Sequence, residues 1–419
     1  MEKRETAIVV GIVLPDQDRN TVNDYLDELE LLADTAGAHV IERVVQERQR
    51  LDPAYLLGRG KVEEIATMSK YLDADLVIFD DDLTPAQIRN IEALCLNKIL
   101  DRSGLILDIF ARNARTRESR TQVELAQLNY LLPRLTRQWT HLSRQVGGIG
   151  VRGPGETQLE VDRRLVRKRI RWLEEELQKI EQQRNNRRKS RKSLFKAALV
   201  GYTNAGKSTL LNALTHSNVT VENRLFATLD STIRAVDTLN HQRFLLIDTV
   251  GFIRKLPHHL VASFKSTLEE TADADMLLHV IDVTNPVMDE HIHTVNTVLK
   301  ELHLENKPVL KVFNKIDAVK EKSLLSFLKA NHQPCVFVSA SHGIFLSELE
   351  AKLRSFAESS VKHMTIELPM DAFKRLAALH RLAQVLNIEY TDSKAIVELK
   401  ADVSNVERIE RLVAINSKA

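Results

Sequence analysis

Lys196 to Val200 is a short apolar run that passes at once into Gly201-Tyr202-Thr203-Asn204-Ala205-Gly206-Lys207-Ser208 and then into the helix-forming Thr209-Leu-Leu-Asn-Ala-Leu214. Strand, glycine-punctuated loop and helix in that order are the phosphate-binding loop in its required context, which predicts a three-layer α/β domain. The glycines let successive backbone N–H groups turn toward an anion at a helix N-terminus. Lys207 neutralises the charge of β- and γ-phosphates, and the hydroxyl of Ser208 is a ligand for Mg2+.

Three later segments, each after a strand-like run, complete the pattern. Phe244–Ile247 delivers Asp248-Thr249-Val250-Gly251, where Asp248 reaches magnesium through water and the Gly251 N–H senses the γ-phosphate. Val309–Phe313 delivers Asn314-Lys315-Ile316-Asp317. The carboxylate of Asp317 accepts both the ring N–H and the exocyclic amine of guanine; adenine has neither donor there and leaves that carboxylate unpaired. Cys335–Val338 leads into Ser339-Ala340-Ser341, placed to touch the base. Between the first two motifs, Leu225-Phe226-Ala227-Thr228-Leu229-Asp230 reads as the first switch loop, with Thr228 completing the magnesium shell when γ-phosphate is present and Thr220 and Thr232 as its rivals. The expected catalytic set is Lys207, Gly251, Thr228 and Asn204 on a site for GTP and GDP. Phe252 follows Gly251 where many GTPases place a water-orienting glutamine, so intrinsic hydrolysis should be slow until a partner orders the site. Asn204 has two readings of equal weight: a ligand for K+ substituting for an arginine finger, or a loop asparagine bonded to its own backbone.

The rest of the 419-residue chain divides by composition. The first hundred residues alternate strand-like runs (Ala7–Leu14, Val40–Gln46, Leu76–Phe79) with helical ones (Tyr25–Ala36, Lys61–Tyr71), which predicts an α/β domain with a parallel sheet over 1–110. Thr84, Pro85 and Gln87 form a capping box that opens a further helix. Gly58-Arg-Gly-Lys61 reads as a helix-start turn rather than a second phosphate loop, since it lacks the full spacing. Residues 111–192 carry 21 Lys+Arg against 9 Asp+Glu, a net of +12, so the other 337 residues sum to −10. That asymmetry points to a polyanionic partner, nucleic acid first. Thr121-Gln-Val-Glu124 and Thr157-Gln-Leu-Glu160 look like capping boxes, and Val166, Ile170, Leu173, Leu177 and Ile180 form an apolar seam facing Val123, Leu125, Leu128, Leu132 and Leu135. A long antiparallel helical hairpin results, its tip at residues 147–155 holding five of the chain's fourteen glycines. A plain linker needs neither the arginine nor the proline set among them. Backbone pressed against a phosphate-rich surface needs glycine for approach and arginine for charge. The RNA-contacting set is Arg144, Gly147, Gly148, Arg152, Gly153, Gly155, Arg163 and Arg164. Trp139 and Trp172 read as packing anchors in the hairpin, and His291 and His293, two apart on a helix, face different directions. No apolar run is long enough to span a bilayer, the two cysteines have no paired spacing, and the charged start lacks a secretory pattern, so a cytoplasmic chain, a monomer, is expected.

The phosphate loop GYTNAGKST, the segment LFATLD, DTVGFI and NKID resemble the Obg–HflX group of translation-associated GTPases. Tyr55-Leu-Leu-Gly-Arg-Gly-Lys-Val-Glu-Glu-Ile65 and Gly147-Gly-Ile-Gly-Val-Arg-Gly-Pro-Gly-Glu-Thr-Gln-Leu-Glu160 look like the HflX family in particular. The resemblance covers residues 1 to about 360 and implies a GTPase that binds the large ribosomal subunit and splits stalled or inactive ribosomes under stress, with the glycine-rich tip reaching toward the peptidyl-transferase region. It also implies a G domain over 193–360. Ser231 departs from the pattern, which more usually has proline there. Residues 361–419 match no motif; Met364–Leu368 as strand, Ala372–Leu386 as helix, and Ile388–Tyr390 with Ala395–Leu399 as a hairpin predict a small α+β domain.

Overall fold

The computed structural model describes residues 4–135, 158–188, 195–215, 225–237, 243–255, 270–359, 361–369, 373–391 and 394–414. Its first sheet has the order β2-β1-β3-β4. Strands β1 (Glu5–Val13), β2 (Ala38–Glu47), β3 (Leu76–Phe79) and β4 (Lys98–Asp101) are all parallel. The unbroken apolar character of β1 is the mark of a strand covered on both faces. Ala7 and Val9 pack under α1 (Arg19–Thr35) and α4 (Arg102–Asn113), while Ile8 and Val10 pack under α2 (Arg59–Tyr71) and α3 (Pro85–Cys95). The capping box forms as expected: the Thr84 Oγ1 accepts from the Gln87 N–H at 3.3 Å, and the Gln87 Oε1 accepts from the Thr84 N–H at 2.9 Å. Gly58 is the N-cap of α2. In the first turn of α2, Lys61 pairs with Glu64 at 2.6 Å.

Two helices follow, α5 (Arg117–Leu131) and α6 (Gln158–Arg188). Their pairings run in opposite directions along the two helices: Arg117 meets Glu176, Arg169 meets Glu124 at 2.6 Å, and Arg163 Nη2 donates to the Leu135 carbonyl at 3.1 Å. The pair is antiparallel; Leu135, Val161, Val166 and Leu173 are buried, whereas Val123, expected to face α6, packs instead with Leu29, Ile106 and Phe110 of the first domain. Two further expectations fail here. Thr121 does not cap α5: Thr116 does, accepting from the Ser119 N–H at 3.1 Å, and Thr121 lies a turn inside with its hydroxyl donating to the Arg117 carbonyl. A cap five residues upstream captured the helix start. Trp172, expected as a packing anchor, is 47% exposed, covered only by the Arg169 guanidinium 4.3 Å over its ring, which also pairs with Glu124 of α5. Trp139, Thr157 and the tip 147–155 lie outside the described residues.

The second sheet has the order β10-β9-β8-β5-β7-β6, built from β5 (Phe195–Gly201), β6 (Thr232–Asp237), β7 (Arg243–Asp248), β8 (Met276–Asp282), β9 (Val309–Asn314) and β10 (Cys335–Phe337). Only the edge strand β6 is antiparallel. Helices α7 (Lys207–Thr215) and, after α8 (Met288–Glu301) and α9 (Lys322–Asn331), α10 (Leu346–Ser359) lay Leu210, Leu214, Leu349 and Leu353 on one face. On the other face α8 lays Val295 and Val298, making the third layer. The last unit is an antiparallel sheet of order β11-β13-β12, from β11 (Val361–Pro369), β12 (Ala383–Tyr390) and β13 (Lys394–Asp402). It is packed by α11 (Phe373–Leu382) and α12 (Val403–Ala414) through Leu379 and Ile409. The helix expected over 372–386 ends at Leu382, because Ala383 to Leu386 satisfies a strand period as well and its ladder to β13 decides the matter. No helix among the described residues is long and apolar enough to cross a membrane.

Candidate nucleotide site

The carboxyl ends of β5, β7 and β9 bring the motifs together at one edge of the second sheet. Gly201 leaves β5 at φ +152°, where a Cβ would lie 2.3 Å from the Val280 carbonyl oxygen. Gly206 has φ +93°, and its Cβ would lie 2.3 Å from Asn314 Nδ2. Neither position admits a side chain. The Asn314 side chain fills that space and ties three motifs into one frame. Its Nδ2 donates to the Ala205 carbonyl at 2.9 Å, and its Oδ1 accepts the Ala340 N–H at 3.0 Å.

Lys207 opens α7 with its ammonium donating to the carbonyls of Gly201 (3.1 Å) and Tyr202 (2.8 Å). Burial pushes its pKa down to about 8, opposed by Asp248. A bound phosphate would return the charge to full value. Ser208 Oγ donates to Asp248 Oδ2 at 2.6 Å and lies 2.7 Å from Thr228 Oγ1. Asp248 is fully buried, its carboxyl pushed up by that burial, and Oδ1 has no hydrogen-bond partner among the described residues. Three convergent oxygens and a buried orphan carboxylate oxygen are what a hard divalent cation requires, so these residues fit Mg2+. Of the three threonines weighed for this place, Thr228 is the one beside Ser208; Thr232 begins β6, and Thr220 lies outside the described residues.

Thr249 Oγ1 donates to the Leu199 carbonyl at 2.6 Å, fixing the turn after β7. Val250 is buried beside it. Gly251 lies so close to the loop that a Cβ would stand 2.7 Å from Thr203 Cα and 3.0 Å from Lys207 Nζ. Phe252 then bonds back to the phosphate loop, its N–H to the Gly201 carbonyl (3.1 Å) and its carbonyl from the Thr203 N–H (2.7 Å). Its ring is buried among Val200, Ile247 and Val295, so it faces the core where a water-orienting side chain would face the phosphate. Asn204 stands exposed at the lip in a left-handed conformation, φ 60°.

At the far end Asp317 is partly exposed, with the Ser339 hydroxyl first and then His342 and Lys315 holding its carboxyl below the usual carboxylate range. His342 Nδ1 is 3.4 Å from Asp317 Oδ2, a neighbour no motif announced. Lys315, at φ 65°, pairs with Asp282 at 2.6 Å, and Ile316 opens the short turn after β9. Ser339 is buried, and Ser341 is exposed beside it.

Several of the expected site residues spend their side chains elsewhere. Tyr202 stacks on His291 with ring centroids 3.6 Å apart, and its hydroxyl donates to Glu28 at 2.6 Å. Phe226 and Leu229 bury with the helices of the first sheet, and the Asp230 carboxylate accepts from Thr116. Ala227 is exposed between them. Arg163 is engaged by the Leu135 carbonyl, and Arg164 is exposed on α6. Arg144, Gly147, Gly148, Arg152, Gly153 and Gly155 lie outside the described residues.

Sequence reasoning missed the polar cluster beneath Tyr202. Arg102, fully buried, bonds Glu28, Asp80 (2.8 Å) and the Arg254 carbonyl (3.2 Å). Arg254 meets Asp80 at 3.0 Å and covers the Tyr25 ring at 3.4 Å. The only trace in the sequence is that Arg102 falls at a helix start immediately after a buried strand.

Residues 23–111 match the family model described as GTP-binding GTPase N-terminal, 113–191 the GTP-binding GTPase middle region, and 196–315 the 50S ribosome-binding GTPase. A GTPase HflX of Flavobacterium psychrophilum is 52% identical over 76% of this chain and 77% of its own. Relatives of the same name from Caldanaerobacter subterraneus and Escherichia coli are 45% and 44% identical, covering 96% and 94% of this chain and 91% and 93% of theirs. Identity of this order along almost the whole length, on a chain whose loop, switch and base motifs converge at one sheet edge, shows that this chain belongs to the HflX family of GTPases.

Proposed function

We propose that this GTPase binds the large ribosomal subunit and dissociates stalled or inactive ribosomes in the cytoplasm, with GTP hydrolysis controlling release. The observation that carries the reading is the pairing of a switch site with a basic arm: Thr228 reaches Ser208 and Asp248, and the segment 111–192 concentrates a net charge of +12. The match of 196–315 to a 50S ribosome-binding GTPase model supports the choice of partner. In this reading the chain works as four units, 1–110, 111–192, 193–360 and 361–419.

Residues 201–208 cradle the phosphates and Asp317 with Ser339, Ala340 and Ser341 selects guanine. Ser208, Thr228 and Asp248 are the residues that would hold Mg2+, the carboxylate of Asp248 through water. The bound cation supplies charge stabilisation for the transferring phosphoryl group. Lys207 and the Gly251 N–H complete the electrostatic frame. Asn204, exposed at the lip, is the group that would hold K+, and turnover in K+ against Na+ tests it. Phe252 leaves the attacking water without a side-chain partner from that position, so ordering falls to the ribosome. Ribosomes incubated with the protein and GTP should shift to free subunits on a sedimentation gradient and should not do so with GDP. If subunits stay joined while the protein co-sediments with large subunits alone, an assembly or silencing factor replaces the splitting reading.

A further inference from the structure

The segment carrying Thr228 is anchored on both sides by residues outside the nucleotide-binding fold. Before it, Phe226 is 2% exposed, its ring edge-on to Phe110 of α4 at 4.7 Å, and its carbonyl accepts from Asn113 Nδ2 at 2.8 Å. After it, the Asp230 carboxylate accepts from the Arg115 N–H (3.0 Å), the Thr116 N–H (3.3 Å) and the Thr116 hydroxyl (2.6 Å). Leu225 and Leu229 are buried in the same apolar cluster as Leu29, Ile106 and Val123. The anchors on the Phe226 carbonyl and on Asp230 therefore come from one short stretch, 113–116, at the junction of α4 and α5, while the Phe226 N–H donates to Thr203 Oγ1 of the phosphate loop at 3.0 Å and the Leu225 N–H to Thr35 Oγ1 at 3.4 Å. Thr228 itself contributes only its hydroxyl, 2.7 Å from Ser208.

We propose that Asn113 and Thr116 are positioning residues for GTP hydrolysis, holding residues 226–230 so that Thr228 stays within reach of the magnesium ligand Ser208. This rests on the nucleotide-site reading above. A switch loop of this kind is ordered by γ-phosphate and magnesium and released without them. Fixing both its ends lowers the ordering cost in the triphosphate state and leaves the diphosphate state unaffected.

The test is steady-state GTP hydrolysis against Mg2+ concentration, with GTP and GDP affinities, for Asn113→Ala, Thr116→Val and Thr116→Ser in the full chain. The valine keeps the shape of Thr116 and removes its hydroxyl; the serine keeps the hydroxyl. Asn113→Ala and Thr116→Val should each lower kcat by about tenfold, equivalent to about 1.4 kcal/mol, and raise the Mg2+ needed for half-maximal turnover. GDP affinity should stay at the wild-type value, and Thr116→Ser should retain wild-type turnover. Wild-type kcat and Mg2+ dependence in both losing variants would overturn the proposal, as would equal losses of GTP and GDP affinity with no rescue by serine. Lys207→Ala separates the two levels. If it still binds GTP, the site reading is wrong; if it does not and the junction variants behave as wild type, only the positioning role is.

Discussion

Lys207 shows how one residue's environment sets a measurable property of the site. Burial lowers its pKa from 10.5 to about 8, so between those values the unfolded chain holds a proton that the folded one has released. Stability from this group therefore rises as pH climbs through that window, and the burial penalty is fully present below it. Bound triphosphate reverses the shift. GTP affinity should fall as pH rises from about 7.5 to about 9.5, with proton uptake on binding, which calorimetry in buffers of different ionisation enthalpy reads directly. Asp317→Asn should weaken GTP binding roughly tenfold to a hundredfold, the worth of hydrogen bonds to a charged acceptor. Its amide should favour xanthosine triphosphate, whose 2-oxo group accepts where guanine donates; a fluorescent-nucleotide competition measures both. The phosphate loop and the Asp248 and Asp317 motifs were legible because each is contiguous and follows its own strand. Arg102 and Thr116 were not: their partners Glu28 and Asp230 lie 74 and 114 residues away, and nothing local marks such pairs.

Among the elements, the antiparallel pair α5 and α6 carries the basic segment and is held by a short apolar seam. Leu173, 1% exposed, is its deepest residue on α6, while Ile170, Leu177 and Ile180 are only half-buried. Leu173→Ala should cost about 2–5 kcal/mol, read as an earlier loss of helical signal in denaturant. The heptad-like spacing made this pairing legible, and the antiparallel direction followed from reading the two stretches as the arms of one hairpin. Where Thr-x-x-Glu recurs inside a helix the signature misleads, because a threonine hydroxyl donates to a carbonyl four residues back as readily as it caps. The antiparallel sheet of residues 361–402 was half legible for a related reason: Ala383–Leu386 fits two periods, and only pairing with β13 selects one.

At the scale of the molecule, the first sheet and the nucleotide-binding sheet meet across a seam that includes the switch segment, the Tyr202 ring and a buried charge cluster. Arg102 is the centre of that cluster, so Arg102→Ala should leave Glu28 and Asp80 poorly paired and destabilise the full chain by about 3–5 kcal/mol in chemical unfolding. Arg102→Met, which refills the volume but not the charge, should recover only part of the loss. In the proposed reading, such a seam would carry a change at the switch segment to the first sheet. The most direct test is GTP turnover with and without purified large ribosomal subunits, with intact ribosomes followed by light scattering in parallel. The account predicts turnover stimulated by the subunits and scatter that falls with GTP; unstimulated turnover with unchanged scatter would contradict it.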